Sequence, residues 1–153
     1  MALGLLLCCG LLAPAGAGAA IVIDVDGVEG DLKRNVLIFL SLERYKNRND
    51  MDDQQVERLN DRVEREVASA LKPFGYYDPV VSSELTKSER SRDWHVQISI
   101  LPGTPIRLRD VSLQLNGSGA SDPSLRHIVD SKTLRTGQQL NHAAYDGLKG
   151  ELQ

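Results

Sequence analysis

Residues 56–115 decide the fold, and they read VERLNDRVEREVASALKPFGYYDPVVSSELTKSERSRDWHVQISILPGTPIRLRDVSLQL. Apolar side chains recur every three or four residues at Val56, Leu59, Val63, Val67 and Leu71. This spacing predicts one long amphipathic helix. Asp52, followed three residues later by Gln55, predicts a capping box at its start, and Pro73 with Gly75 predicts its end.

Two segments after this helix predict a β-hairpin. The second segment alternates cleanly, with apolar Trp94, Val96, Ile98 and Ile100 between polar His95, Gln97 and Ser99. Such alternation is typical of a strand with one buried face. The first segment alternates more weakly, at Val81, Ser83 and Leu85. The connection over 86–93 is polar and charged, so the hairpin is expected to have a long loop.

The residues upstream complete a first module. Ile21, Ile23 and Val25 share one face of a predicted strand, which Gly27 and Gly30 end. A helix is expected next, capped by Asp31, with Leu32, Val36, Phe39 and Leu40 inward. Residues 21–101 therefore predict a β-α-α-β-β domain, within the size range that folds alone.

The pattern restarts after Pro102-Gly103-Thr104-Pro105. Residues 106–115 predict a strand with a β-bulge near Asp110, where the alternation slips by one. Two helices are expected to follow, one over 122–130 with Leu125, Ile128 and Val129 inward, and one capped by Asn141. The fold class is thus α+β with tandem modules. Residues 102–153 predict an incomplete β-α-α second module, and the chain is expected to be an N-terminal fragment.

Residues 1–20 predict a signal peptide. Residues 3–12 form an apolar run of export-signal length, which is too short to span a bilayer. Ala17-Gly18-Ala19 resembles a cleavage site, and an uncleaved anchor is the alternative. Cys8 and Cys9 are the two cysteines of the chain, so the mature protein would contain no thiol. An exported domain of this size without disulfides favours a bacterial periplasm.

The sequence offers little support for catalysis. The formal net charge of -3 comes with no basic stripe, which argues against nucleic acid binding. Asp24 and Asp26 lack a third ligand at calcium-loop spacing, and His95, His127 and His142 lack zinc-ligand spacing. Neither a G-x-S-x-G motif nor a mature thiol is present. We expect no enzyme activity, cofactor, metal or small-molecule substrate.

Three segments carry a family resemblance: Val25-Asp26-Gly27-Val28-Glu29-Gly30 with Leu32, Asn35 and Val36; Ala70-Leu71-Lys72 with Phe74-Gly75-Tyr76-Tyr77 and Pro79; and Pro102-Gly103-Thr104-Pro105-Ile106. Their order resembles the polypeptide-transport-associated (POTRA) domain, which precedes outer-membrane barrels of the β-barrel assembly superfamily. More narrowly, it resembles the N-terminal region of the TamA family, outer-membrane subunits of the translocation and assembly module. The resemblance covers the whole mature chain, and Pro73 departs from the helix former expected there.

The resemblance implies a function and a location. Full-length relatives carry three such modules and a barrel, and they assist insertion of other outer-membrane proteins. The implied partners are a TamB-like inner-membrane-anchored subunit and unfolded outer-membrane proteins. The full-length protein would lie in the cell outer membrane with its modules on the periplasmic face, and this fragment would be periplasmic.

The resemblance also places the strand after the second helix at the sheet edge. The candidate polypeptide-binding edge consists of Val80, Val81, Ser82, Ser83, Glu84 and Leu85. The corner formed by Gly75, Tyr76 and Tyr77 is a second candidate recognition surface, although one of the two tyrosines is expected to pack in the core.

Two classes of function remain open from the sequence. One is an interaction module of outer-membrane protein assembly. The other is a stand-alone exported protein-binding or inhibitor domain without a membrane barrel. Continuation into a third module and alternating strands of roughly ten residues would distinguish the first from the second.

Overall fold

The computed structural model describes residues 20–48, 50–131 and 134–152. Apart from Ala20, the predicted signal peptide lies outside these residues. The first module contains three strands and four helices within them: β1 (Ile21–Asp26), α1 (Gly30–Phe39), α2 (Ser41–Tyr45), α3 (Asp53–Asn60), α4 (Val63–Leu71), β2 (Val80–Lys87) and β3 (Trp94–Leu101). A 3₁₀ turn, Lys72–Phe74, follows α4. The mixed α+β class predicted from the sequence is confirmed.

The three strands form one sheet in the order β1-β3-β2. β1 runs parallel to β3, with Ile21 opposite Trp94, and β2 runs antiparallel to β3, with Val80 opposite Leu101. The predicted hairpin is therefore confirmed. The predicted apolar face of β3 is confirmed too, because Trp94, Val96, Ile98 and Ile100 are all buried.

The helices cover one face of this sheet and complete the core. All five residues of the predicted apolar stripe are buried, and the capping box at Asp52 is present, with the Gln55 N–H donating to its Oδ1 atom at 2.7 Å. The prediction of one continuous helix is wrong, because α3 ends at Asn60 and α4 begins at Val63. At the break the Arg62 N–H donates to the Leu59 carbonyl at 3.2 Å, a tighter turn that keeps both helices facing the core.

The first predicted helix also divides, after Phe39. Leu40 is extended and fully buried, whereas Phe39, which the pattern placed inward, is 41% exposed. The cause lies in α4: the backbone N–H of Ser41 donates to the Glu66 carboxylate at 2.7 Å and its hydroxyl at 2.5 Å. This carboxylate replaces the helical partners that α2 would otherwise need at its start. Asp31 lies inside the first turn of α1 and does not cap it.

The second half of the chain contains a 3₁₀ turn (Gly117–Ser121) and two helices, α5 (Pro123–Asp130) and α6 (His142–Glu151). Asn141 caps α6 as predicted, accepting from the Ala144 N–H at 3.2 Å. The strand predicted over 106–115 is wrong, since only an isolated bridge between Arg107 and Gln139 forms there. An alternating segment becomes a regular strand only beside a neighbour that pairs its backbone over several residues. In the described chain, only the backbones of Ile106 and Leu108 are bonded, to Gly75 and to residues 137–140.

Candidate functional site

The predicted binding edge lies on β2, which is an outer strand of the sheet. The observed strand is longer than the candidate, because it continues through Thr86 to Lys87. These two residues looked like the start of the polar connection in the sequence. Their inclusion gives the edge eight residues in continuous register with β3.

Two hydrogen bonds show toward which neighbouring strand each backbone N–H and C=O group of β3 points. The Trp94 N–H donates to the Ala20 carbonyl at 2.8 Å, so the backbone of Trp94 faces β1. The Ser88 N–H donates to the Asp93 carbonyl at 2.8 Å, so the backbone of Asp93 faces the β2 side. The backbone N–H and C=O groups of successive residues point to opposite edges of a strand. Those of the odd-numbered residues of β3 therefore point toward β2.

The same alternation identifies the outward groups of β2. The odd-numbered residues of β3 stand opposite even-numbered residues of β2, as Gln97 does opposite Glu84. Directly opposite residues of an antiparallel pair either bond to each other or both face away. The outward-facing backbone groups of β2 therefore belong to Val81, Ser83, Leu85 and Lys87, and Ser82 bonds inward.

This outward row is open. Among the described residues, no hydrogen bond from elsewhere in the chain reaches the backbone of Val81, Ser83 or Leu85. Natural sheet edges are commonly protected by proline, bulges, charges or a covering element, and β2 contains neither a proline nor a bulge. An edge of this kind is able to accept a further strand.

The single lysine of β2 is drawn away from the edge. The Lys87 ammonium group pairs with the Asp53 carboxylate at 2.6 Å and lies 4.9 Å from the centroid of the Trp94 ring. Both partners belong to the helix-covered side of the sheet. Lys87 therefore braces β2 against α3 at one end and leaves the remaining length of the edge clear.

The opposite edge of the sheet is partly occupied. By the same alternation, the backbone N–H and C=O groups of Ile21, Ile23 and Val25 point away from β3, toward the outer edge of β1. The Ile21 N–H donates to the Lys46 carbonyl at 3.4 Å, and the Lys33 ammonium group donates to the Val25 carbonyl at 2.7 Å. Of the two edges, β2 offers the longer unpaired row.

A further hydrogen bond joins β1 to the end of the β2–β3 connection. The Ala20 backbone N–H donates to the Asp93 carboxylate at 2.9 Å. This bond, with one from Ser91, lowers the pKa of the Asp93 carboxyl group because both favour its charged form. β1 and the hairpin are thereby tied together beside the first residue of β3.

The Gly75-Tyr76-Tyr77 corner contacts the second half of the chain. The Gly75 carbonyl accepts from the Ile106 N–H at 2.8 Å, and the Tyr77 hydroxyl lies 3.1 Å from the His142 Nε2 atom. Tyr76 packs against the core, as expected for one of the pair, while Tyr77 is 44% exposed. The structure thus uses this corner as an intramolecular junction, and a recognition role for it stays a prediction.

Gly75 shows how close that junction is. Its φ of +85° lies in the left-handed region, and a Cβ atom there would lie 2.9 Å from the Leu140 carbonyl oxygen. The approach of two distant segments needs glycine at this position.

The described residues contain no cluster of three or more His, Cys, Asp or Glu side chains arranged to hold a metal ion. Asp26 accepts a hydrogen bond from the Gln97 side-chain amide at 2.6 Å. Nor do those residues include a helix with the length and apolar character needed to cross a bilayer.

Comparison with known proteins places this arrangement in a family. The family model described as POTRA domain, TamA domain 1, matches residues 22–102. A crystal structure of POTRA domains 3–5 of BamA from Haemophilus influenzae aligns with 88% of this chain and 48% of its own, with a TM-score of 0.38 and 15% identity. The chain thus spans about half the length of that structure.

The family match covers just over half of the 153 residues, and its limits nearly coincide with the module from β1 to β3. POTRA domains are periplasmic modules of outer-membrane proteins and are associated with outer-membrane protein assembly. The chain belongs to the POTRA domain family, and its residues 22–102 match the model of the first POTRA domain of TamA.

Proposed function

We propose that this chain is a periplasmic interaction module of an outer-membrane assembly protein, and that it binds extended polypeptide by adding a strand to β2. The proposed ligands are unfolded outer-membrane proteins and a TamB-like inner-membrane-anchored subunit. The chain acts by binding, without a catalytic step.

The open backbone row of β2 carries this proposal. The groups of Val81, Ser83 and Leu85 supply donors and acceptors that any extended segment can pair with, whatever its side chains. Main-chain pairing suits a module that handles clients of varied sequence. The partly occupied edge of β1 gives a reason why one side of the sheet, and not both, is used.

Proline substitution at two adjacent serines separates binding from folding. Ser83→Pro removes an outward donor and places the proline ring where an added strand would lie, so we expect about tenfold weaker binding of unfolded outer-membrane protein with the fold retained. Ser82→Pro instead removes an inward bond to β3 and should destabilise the module by about 1–3 kcal/mol. Binding measured by fluorescence anisotropy, with Trp94 emission reporting the fold, checks both.

A folded Ser83→Pro variant that binds as tightly as the unmodified chain would contradict strand addition at β2. The Gly75-Tyr76-Tyr77 corner, where Tyr77 is half exposed, would then be the surface to test next.

A further inference from the structure

The side chains of β2 differ between its two faces, and this difference bears on which segments the proposed edge accepts. On the helix side, Val81 and Leu85 are half-buried and pack against the core cluster. A strand added beside β2 would bring its own side chains next to them at the same depth. Apolar side chains at these positions would extend the core, whereas polar ones would cover it poorly.

The face of the sheet that the helices do not cover, here called the open side, has an apolar end. Val80 is 66% exposed and Leu101 is 68% exposed, and the two are direct cross-strand partners. They form a paired apolar surface at the start of β2, directly beside the free edge. An apolar side chain opposite Val80 would remove part of this surface from water.

The open side is acidic further along the strand. Glu84 is exposed there, and Asp24 and Asp26 of β1 share the face. None of the three strands presents a lysine or arginine on this face, because Lys87 lies on the helix side. The residue of an added strand that stands opposite Glu84 would therefore meet an unbalanced negative charge.

We propose that the β2 edge selects extended segments of a defined amphipathic pattern. The segment carries apolar residues opposite Val80, Val81 and Leu85 and a lysine or arginine opposite Glu84. Positions opposite Ser82 and Ser83 tolerate small polar residues. This inference rests on the proposed strand addition and adds a ligand class to it.

Two labelled peptides test the pattern on the full 153-residue chain. For a strand antiparallel to β2, the central residues are Val-Lys-Thr-Thr-Val-Val; for a parallel strand they are the reverse, and threonines flank both. We expect one of the two to bind, and we expect its lysine-to-glutamate version to bind roughly three- to tenfold more weakly, as like charges directly opposite destabilise a pair.

Charge reversal on the protein gives the decisive comparison. Glu84→Lys should invert the preference, so that the glutamate peptide becomes the tighter ligand. Asp24→Lys makes a matched change on the same face but on β1, two strands from the edge, and should leave the lysine preference intact.

The outcomes separate this inference from the proposed function. An unchanged lysine preference in Glu84→Lys, or an equal shift in Asp24→Lys, overturns the selectivity while strand addition stands, provided that Ser83→Pro weakens peptide binding. Binding that ignores both Ser83→Pro and Glu84→Lys overturns both ideas. Failure of both peptides to bind at millimolar concentration overturns the pattern as stated.

Discussion

Replacing Gly27 by alanine is expected to cost about 4 kcal/mol or more of folding free energy. Gly27 has a φ of +88°, and a Cβ atom built there would lie 1.8 Å from the Ile100 carbonyl oxygen. That oxygen belongs to the central strand β3, so neither partner is free to move away. Urea unfolding followed by the emission of Trp94 measures the loss.

Gly30→Ala is the matched control. Gly30 also has a positive φ, +56°, but a Cβ atom there meets nothing within 4 Å. We expect this variant to show only the backbone strain, about 1–2 kcal/mol. If both variants unfold at the same urea concentration, the close approach of Gly27 to β3 is wrong.

Replacing Val63 by aspartate is expected to cost about 3–5 kcal/mol. The Val63 side chain is fully buried at the start of α4, in the middle of the apolar stripe. A carboxylate there must either lose its hydration or be protonated, and both are unfavourable. The same urea titration gives the magnitude.

Glu64→Asp controls for the weak helix propensity of aspartate, because it introduces the same residue one position later at an exposed site. Its effect should stay within about 0.5 kcal/mol. Unchanged stability of Val63→Asp would refute the orientation of α4.

The apolar stripe from Val56 to Leu71 could be predicted because helical periodicity is a local property of the sequence. The capping box at Asp52 could be predicted for the same reason, since its two partners are three residues apart. The breaks at Leu40 and at Asp61–Arg62 could not. Leu40 is extended where the backbone N–H of Ser41 donates to the Glu66 carboxylate of α4, a contact between distant residues. Ser41, Asn60 and Asp61 are weak helix formers, but the cost of one such residue is too small to mark a break by itself.

The sheet order and the facing of its backbone depend on distant residues. That β2 is an outer strand came from the family resemblance, and which serine faces outward came only from bonds at Trp94 and Ser88. The alternation over 106–115 misled because it describes side chains and says nothing about a neighbouring strand. The contacts of the Gly75 corner with Ile106 and His142 likewise join parts of the chain that no local pattern connects.

Residue-resolved amide hydrogen exchange, with and without an unfolded outer-membrane protein, tests strand addition most directly. In the free chain, the amides of Ser82 and Glu84 should be protected by β3, and those of Val81, Ser83 and Leu85 should exchange quickly. Saturating client should slow exchange at these three outward amides and leave Ile23 of β1 unchanged. Bound client that leaves the three outward amides exchanging as before, or that protects Ile23 instead, would contradict strand addition at β2.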